Sequence, residues 1–146
     1  HTVSYTSLAV ANQGYLRLRI KASATKDIHT RIAWSSEGKS RLKSYVGTTY
    51  SNNGTPYTPF NRQSKLANSM AGLIYINPTI NVLGTQRGND FIGASGAAVV
   101  RVGGTGASDI ETIINAGTEV LFEIQNVSGS ASDLNFIANI YEREAL

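Results

Sequence analysis

The sequence predicts an all-β protein, an antiparallel β-sandwich of the jelly-roll kind with about eight short strands. Residues that favour strands are abundant, with thirteen Ile, thirteen Thr, nine Val and seven Tyr, whereas helix formers such as Glu, Gln and Met are scarce. Apolar and polar residues alternate over several short segments, as in strands that have one buried face. Turn-forming Gly, Asn and Ser residues separate these segments, which is typical of antiparallel sandwiches.

The alternation predicts the first three strands. Along Tyr15–Lys21 the apolar residues face one side of the chain and the basic residues face the other. Residues 28–34 repeat the pattern, and residues 41–46 indicate a third strand. The residues expected to face the core are Leu16, Leu18, Ile20, Ile28, Thr30, Ile32, Trp34, Leu42, Ser44 and Val46. The outward residues of the third strand are Arg41, Lys43 and Tyr45.

Residues 47–61 are predicted to be an edge strand or an ordered loop. The pair Asn53-Gly54 is a strong signal for a tight turn, because both residues tolerate a positive φ. Pro56 and Pro59 lack an amide hydrogen and therefore cannot donate to a sheet in this stretch.

The second half of the chain alternates between loops and strands. Residues 62–72 are small and polar, which indicates a connection, and strand character resumes at residues 73–82. Residues 84–106 are rich in glycine and are predicted to be a long loop, or a loop that contains one short strand at residues 97–100. Period-two alternation returns in three late segments, at residues 110–114, 120–125 and 134–140.

We expect residues 1–14 to be an amino-terminal arm and residues 15–146 to form a single β-sandwich domain. The chain has the length of one ordinary domain, and neither an internal repeat nor a linker is visible. No apolar run approaches the about 20 residues of a membrane-spanning helix, so no membrane partner is expected. Residues 1–14 also lack the pattern of a secretion signal.

Charge is distributed unevenly along the chain. Residues 1–43 carry a net charge of +6 and residues 102–146 a net charge of −6, within a total of +3. We expect early and late strands to lie side by side and to match these charges across the sheet. The residues expected to do so are Arg17, Arg19, Lys21, Glu119 and Glu123. The alternative is a basic sheet face with Tyr15 and Tyr45 for base stacking, but no nucleic-acid-binding motif accompanies it, and no nucleic acid is expected as a partner.

Few residues have catalytic or metal-binding chemistry. The chain has no Cys and two His, which excludes disulfides, thiol catalysis and cysteine–zinc sites. His29 lies in a predicted strand beside Arg31 and is interpreted as a solvated side chain, not as the base for a serine nucleophile. Asp109 and Glu111 would share a strand face and are interpreted as solvated acids. We therefore expect no enzyme activity, catalytic residue, metal, cofactor or small-molecule substrate.

The stretch from Tyr45 to Arg62 resembles a signature of small head-decoration, or cement, proteins of tailed bacteriophages. An aromatic strand end and a Gly-Thr-Thr step at residues 47–49 precede a Gly-Thr turn at residues 54–55 and an Asn-Arg ending. Further similarity lies in Asn-Pro-Thr-Ile at residues 77–80, and in residues 103–114 and 120–141. Together these stretches cover most of residues 15–142.

The resemblance implies a non-enzymatic β-sandwich that binds the outer surface of an icosahedral capsid of the HK97 type and stabilises it. The implied partner is the major capsid protein, and the implied state is a small homo-oligomer, with a trimer favoured. Such a protein is made in the host cytoplasm and is located on the outer capsid surface of the virion.

Loops, more than sheet faces, are expected to carry the capsid contacts. Proline pre-orders the segment at residues 50–60, and tyrosine buries a large area at small entropic cost. The residues expected to bind the capsid are Tyr50, Asn53, Pro56, Tyr57, Phe60 and Arg62. The arm at residues 1–13 is a second expected contact.

Two alternatives stay open at this point. Tyr50, Tyr57 and Phe60 could cap the core of the sandwich and make no contact with a partner. The protein could also be a β-sandwich module of a phage fibre that binds a receptor or a carbohydrate. Trp34 is a poor candidate for a glycan-binding aromatic residue, because it falls on an apolar strand face.

Overall fold

The computed structural model describes residues 1–61, 69–92 and 111–145, which contain twelve antiparallel strands and no helix. The strands are β1 Thr2–Val10, β2 Tyr15–Lys21, β3 Lys26–Ser36, β4 Ser40–Val46, β5 Thr49–Asn52, β6 Thr55–Pro56, β7 Leu73–Ile76, β8 Thr79–Val82, β9 Thr85–Ile92, β10 Thr112–Ile114, β11 Glu119–Asn126 and β12 Ser132–Glu144. In the same ranges no helix is long and apolar enough to cross a membrane. The predicted strand at residues 97–100 lies outside the described residues, as do Arg62 and Asp109.

These strands form two large sheets and one small ribbon. A four-stranded sheet has the order β1-β12-β3-β10, and a six-stranded sheet has the order β6-β7-β2-β11-β4-β9. A two-stranded ribbon pairs β5 with β8. All pairs are antiparallel, which confirms the predicted fold class and agrees with a β-sandwich. The jelly-roll connectivity stays a prediction.

The core lies between the two large sheets and consists of the residues that alternation assigned to it. Leu16, Leu18, Ile20, Ile28, Ile32 and Trp34 are all less than 10% exposed. They meet the inward residues of β11 and β12, chiefly Phe122, Ile124, Leu134, Phe136, Ala138 and Ile140. Each large side chain that is buried in this way stabilises the fold by about 1.5–3 kcal/mol.

The predicted amino-terminal arm is not separate from the sandwich, because most of it forms β1. This strand pairs with β12 at the edge of the four-stranded sheet, from Thr2 opposite Asn139 to Ser7 opposite Leu134. Val3 is completely buried, whereas Ser4 and Thr6 face solvent. The alternation was too weak to reveal the strand locally, because a register shift between Ser7 and Val10 interrupts it. The apolar residues that β1 directs to the core are the buried Val3 and the partly buried Tyr5 and Val10. The partner strand of β1 lies at the opposite end of the sequence.

The strand count also exceeds the predicted eight, because short edge strands add to the core strands. The stretch at residues 73–82 divides into β7 and β8 at Asn77, which has a φ of 50°. The beginning of the glycine-rich stretch, predicted to be a loop, is strand β9, which pairs with β4 along Thr85–Ile92. An edge strand needs no second apolar face, so its sequence resembles that of a loop.

Candidate functional site

The charge-matched residues lie on the outer face of the six-stranded sheet, the face that is directed away from the four-stranded sheet. β2 and β11 are neighbours, so the basic side chains of the early strand meet the acidic side chains of the late one. Arg17 Nε lies 2.9 Å from Glu123 Oε2, and two nitrogens of Arg19 donate to Glu119 Oε2 at 3.0 and 2.7 Å. Lys21 is opposite Glu119 in register but is exposed and makes no ion pair with a described residue.

Arg19 anchors the segment that the sequence assigns to the capsid. Its guanidinium carbon lies 4.1 Å from the centre of the Tyr50 ring and 5.2 Å from that of Tyr75. Its Nη1 donates to Asn53 Oδ1 at 2.7 Å. Burial, followed by the charge of Glu119, raises the pKa of Tyr50 to about 12, although Arg19 opposes the shift. Asn53 therefore uses its amide oxygen, and Tyr50 its ring surface, within the molecule.

Tyr57 ties the same segment to the edge of the four-stranded sheet. Its hydroxyl donates to the carbonyl of Ser4 at 2.9 Å, and its ring meets that of Tyr5 edge to face at 6.5 Å between centres. Its backbone N–H donates to the carbonyl of Ile74 at 2.9 Å. For Tyr57 the structure therefore favours the alternative in which the ring caps the core.

Phe60 and Pro56 are predicted partner residues whose side chains are exposed. Phe60 exchanges two backbone hydrogen bonds with Thr2, both 2.8 Å long, and its ring is 66% exposed. Pro56 is exposed in the short edge strand β6, opposite Tyr75. Arg62, the sixth predicted residue, lies outside the described residues.

A second group on the same outer face combines basic and aromatic side chains. We call Lys39, Arg41, Lys43, Phe91 and Tyr15 the basic–aromatic face. Arg41 is opposite Phe91 on one side and opposite Gln125 on the other, and Gln125 is opposite Tyr15. Phe91 was not predicted to contribute to a surface site, because residues 84–106 were predicted to be a loop. Tyr45, predicted to face outward, is on this face but only 6% exposed, because neighbouring side chains cover it.

His29 lies on the outer face of the other sheet and is not solvated, contrary to the prediction. Its side chain is stacked on Tyr141 at 4.7 Å between ring centres, and Nδ1 lies 3.3 Å from Glu111 Oε2. The Tyr141 hydroxyl donates to Glu111 Oε1 at 2.5 Å. The hydrogen bonds from Tyr141 and His29 lower the pKa of Glu111, and the bond to Glu111 raises the pKa of Tyr141. This cluster holds β10 to β12 across β3.

No catalytic or metal arrangement is visible in the described ranges. The described partners of His29 are a tyrosine and a carboxylate, not a serine hydroxyl. No group of three or more His, Cys, Asp or Glu side chains in the described ranges is placed to hold a metal ion. Trp34 is 2% exposed and faces the core. Arg31 lies on the four-stranded sheet, whereas Arg17 and Arg41 lie on the six-stranded sheet.

No protein-family model matches the chain, and no curated protein matches it at a significant level. The function is therefore inferred from the residues of the chain and from the resemblance of its Tyr45–Arg62 stretch.

Proposed function

We propose that the protein is a non-enzymatic capsid decoration protein, which binds the major capsid protein on the outer surface of an HK97-type phage shell and stabilises the shell. The observation that carries this proposal is the presentation of Phe60. A large aromatic ring is held in solvent on a backbone that is fixed to β1, and Pro56, earlier in the same segment, is also exposed. Exposed aromatic residues on a fixed backbone are typical of the anchor residues of protein interfaces.

The anchoring of the segment supports the same function. Tyr50 and Asn53 bind Arg19, and Tyr57 binds Ser4, so the chain before Phe60 is ordered before any partner arrives. A segment that is already ordered loses less conformational entropy when it binds a partner. Many weak contacts of this kind act together when many copies bind one lattice. A homo-oligomer, with a trimer favoured, would multiply the contacts further.

The test measures how much protein remains bound to purified shells of the phage that encodes it. Phe60→Ser is compared with the unmodified protein by co-sedimentation. Ile113→Ser serves as the control, because Ile113 is 54% exposed and lies in β10, at the opposite edge of the four-stranded sheet from β1 and outside the expected contacts. Loss of an interface anchor weakens binding by about tenfold or more. We therefore expect a clear loss of occupancy for Phe60→Ser and none for Ile113→Ser.

Cryo-electron microscopy of shells with and without the protein tests the location. Added density on the outer shell supports decoration. Density that is confined to tails or fibres would replace the proposal with the fibre module. If Phe60→Ser is folded and occupies shells as well as the unmodified protein, the Phe60 contact is wrong.

A further inference from the structure

We propose that the basic–aromatic face is a docking surface for a carboxylate-rich protein segment. It lies on the outer face of the six-stranded sheet and does not include Phe60. The inference does not depend on the proposed capsid partner, since it concerns the chemistry of the segment and not the protein that supplies it.

Unpaired positive charge is concentrated on this face. Lys39, Arg41 and Lys43 form no ion pair with a described residue. The two carboxylates that the described residues place on the same sheet face are already engaged, Glu123 by Arg17 and Glu119 by Arg19. The local excess of positive charge would therefore attract an anionic partner.

The Arg41 guanidinium has unused hydrogen-bonding capacity among the described residues. Its Nε is buried and has no hydrogen-bond partner in the described part of the chain. Because Nε is closed to solvent, a docked carboxylate would bind through the two Nη groups, which make no hydrogen bond with a described residue. The planar guanidinium suits a carboxylate particularly well, because two parallel N–H groups can bind its two oxygens.

The aromatic rings favour carboxylates over nucleic-acid bases. The guanidinium carbon of Arg41 lies 4.2 Å from the centre of the Phe91 ring, and that of Arg17 lies 4.6 Å from the centre of the Tyr15 ring. Each arginine thus covers a ring face on which a base would stack. The Nη groups of Arg41 make no hydrogen bond with a described residue, and Phe91, 49% exposed, adds apolar contact area.

The test compares two polyanions of different chemistry. Binding of fluorescent poly-L-glutamate and of a thymidine oligonucleotide with the same number of charges is measured by anisotropy at low ionic strength. The variants are Arg41→Gln, Arg41→Lys and Lys43→Gln. The control is Arg31→Gln, an exposed arginine on the four-stranded sheet that makes no ion pair with a described residue. Thermal unfolding of each variant verifies its fold.

We expect poly-L-glutamate to bind more tightly than the oligonucleotide. Arg41→Gln should weaken its binding by about fivefold, the typical effect of one charge-assisted contact. Lys43→Gln should weaken binding less, and Arg41→Lys should restore only part of the loss, because lysine lacks the planar fork. The control should bind as the unmodified protein does.

Three results would overturn the proposal. Tighter binding of the oligonucleotide would identify a nucleic-acid surface instead. If poly-L-glutamate does not bind, the face does not recognise a carboxylate-rich segment. An equal loss of poly-L-glutamate affinity for Arg31→Gln and Arg41→Gln would show that the polyanion is attracted by the charge of the whole protein, not by this face. None of these results affects the Phe60 test on shells.

Discussion

At the scale of single residues, the pair Arg17–Glu123 shows how a charge is kept inside this protein. The Glu123 side chain is only 2% exposed, whereas that of Arg17 is 26% exposed. A carboxylate removed from water to this extent is tolerated when a cation binds it directly, as Arg17 Nε does at 2.9 Å. The pair therefore contributes to stability mainly by preventing an unpaired buried charge.

Replacement of Arg17 by Met is expected to lower the free energy of unfolding by about 2 kcal/mol, because Glu123 stays buried without its partner. Urea denaturation at neutral pH measures the loss. Lys21→Met on the same strand is the matched control, and we expect it to change stability by less than about 0.5 kcal/mol, since Lys21 is exposed.

The double variant Arg17→Met/Glu123→Met completes this prediction. It removes both charges, so much of the lost stability should return. If Arg17→Met alone is as stable as the Lys21→Met control, the ion pair does not stabilise Glu123 in the way proposed.

The sequence indicated these charge partners but not the orientation of the aromatic residues around them. Opposite charges on an early and a late strand predict a pairing, and β2 does lie beside β11. Tyr50, Tyr57 and Phe60 occur in a segment without alternation, so no periodic pattern separates inward from outward rings. Their orientation depends on distant partners, such as Arg19 for Tyr50 and Ser4 for Tyr57.

At the scale of elements, the turn at Asn53-Gly54 determines how the Tyr50–Phe60 segment crosses the sheet. Gly54 has a φ of 88°, whereas Asn53 is not in the positive-φ region. The flanking strands β5 and β6 pair with β8 and β7, so the turn does not close a hairpin. The Cα of Gly54 also lies against the next strand connection, since a Cβ built there would be 2.4 Å from the carbonyl oxygen of Ile76. The position therefore needs glycine for two separate reasons.

Gly54→Ala and Gly117→Ala are expected to separate these reasons. Gly117 has a φ of 73° and open space around it, so its replacement should cost about 1 kcal/mol from backbone strain alone. Gly54→Ala should cost about 3 kcal/mol, because the backbone of residues 76–78 must also move. Denaturant unfolding measures both values. Equal losses would show that Ile76 does not restrict the position.

Strands were predictable from the sequence where apolar and polar residues alternate, whereas the edge strands β1 and β9 were missed. β2, β3, β11 and β12 are central strands whose inward apolar residues are buried, although β11 is buried on its other face as well. In β9 polar residues and a register shift interrupt the alternation. β1 has the same difficulty, and its partner β12 is at the other end of the sequence, beyond the reach of a local pattern.

At the scale of the whole molecule, the two ends of the chain complete one sheet together. β1 covers the outer edge of β12, and Val3 and Tyr5 contact the core from that edge, with the Tyr5 ring stacked on Phe136 at 6.2 Å between centres. The chain around Phe60 then bonds to Thr2 and covers the start of β1. β1 therefore lies between the core and the segment around Phe60 that is proposed to contact the capsid.

Deletion of residues 1–10 distinguishes a dispensable arm from this structural strand. We expect the shortened chain to lose about 4 kcal/mol or more of unfolding free energy, because Val3 and Tyr5 leave the core. The exposed edge of β12 should also promote association, since its N–H and C=O groups lose their partners. Denaturant unfolding and sedimentation velocity measure these two effects.

Leu8→Ser in the full chain is the control and should remain as stable as the unmodified protein, because Leu8 is 73% exposed. A shortened chain that stays folded and does not associate would instead show that residues 1–10 are an arm. In that case the segment around Phe60 would stay ordered without its hydrogen bonds to Thr2 and Ser4.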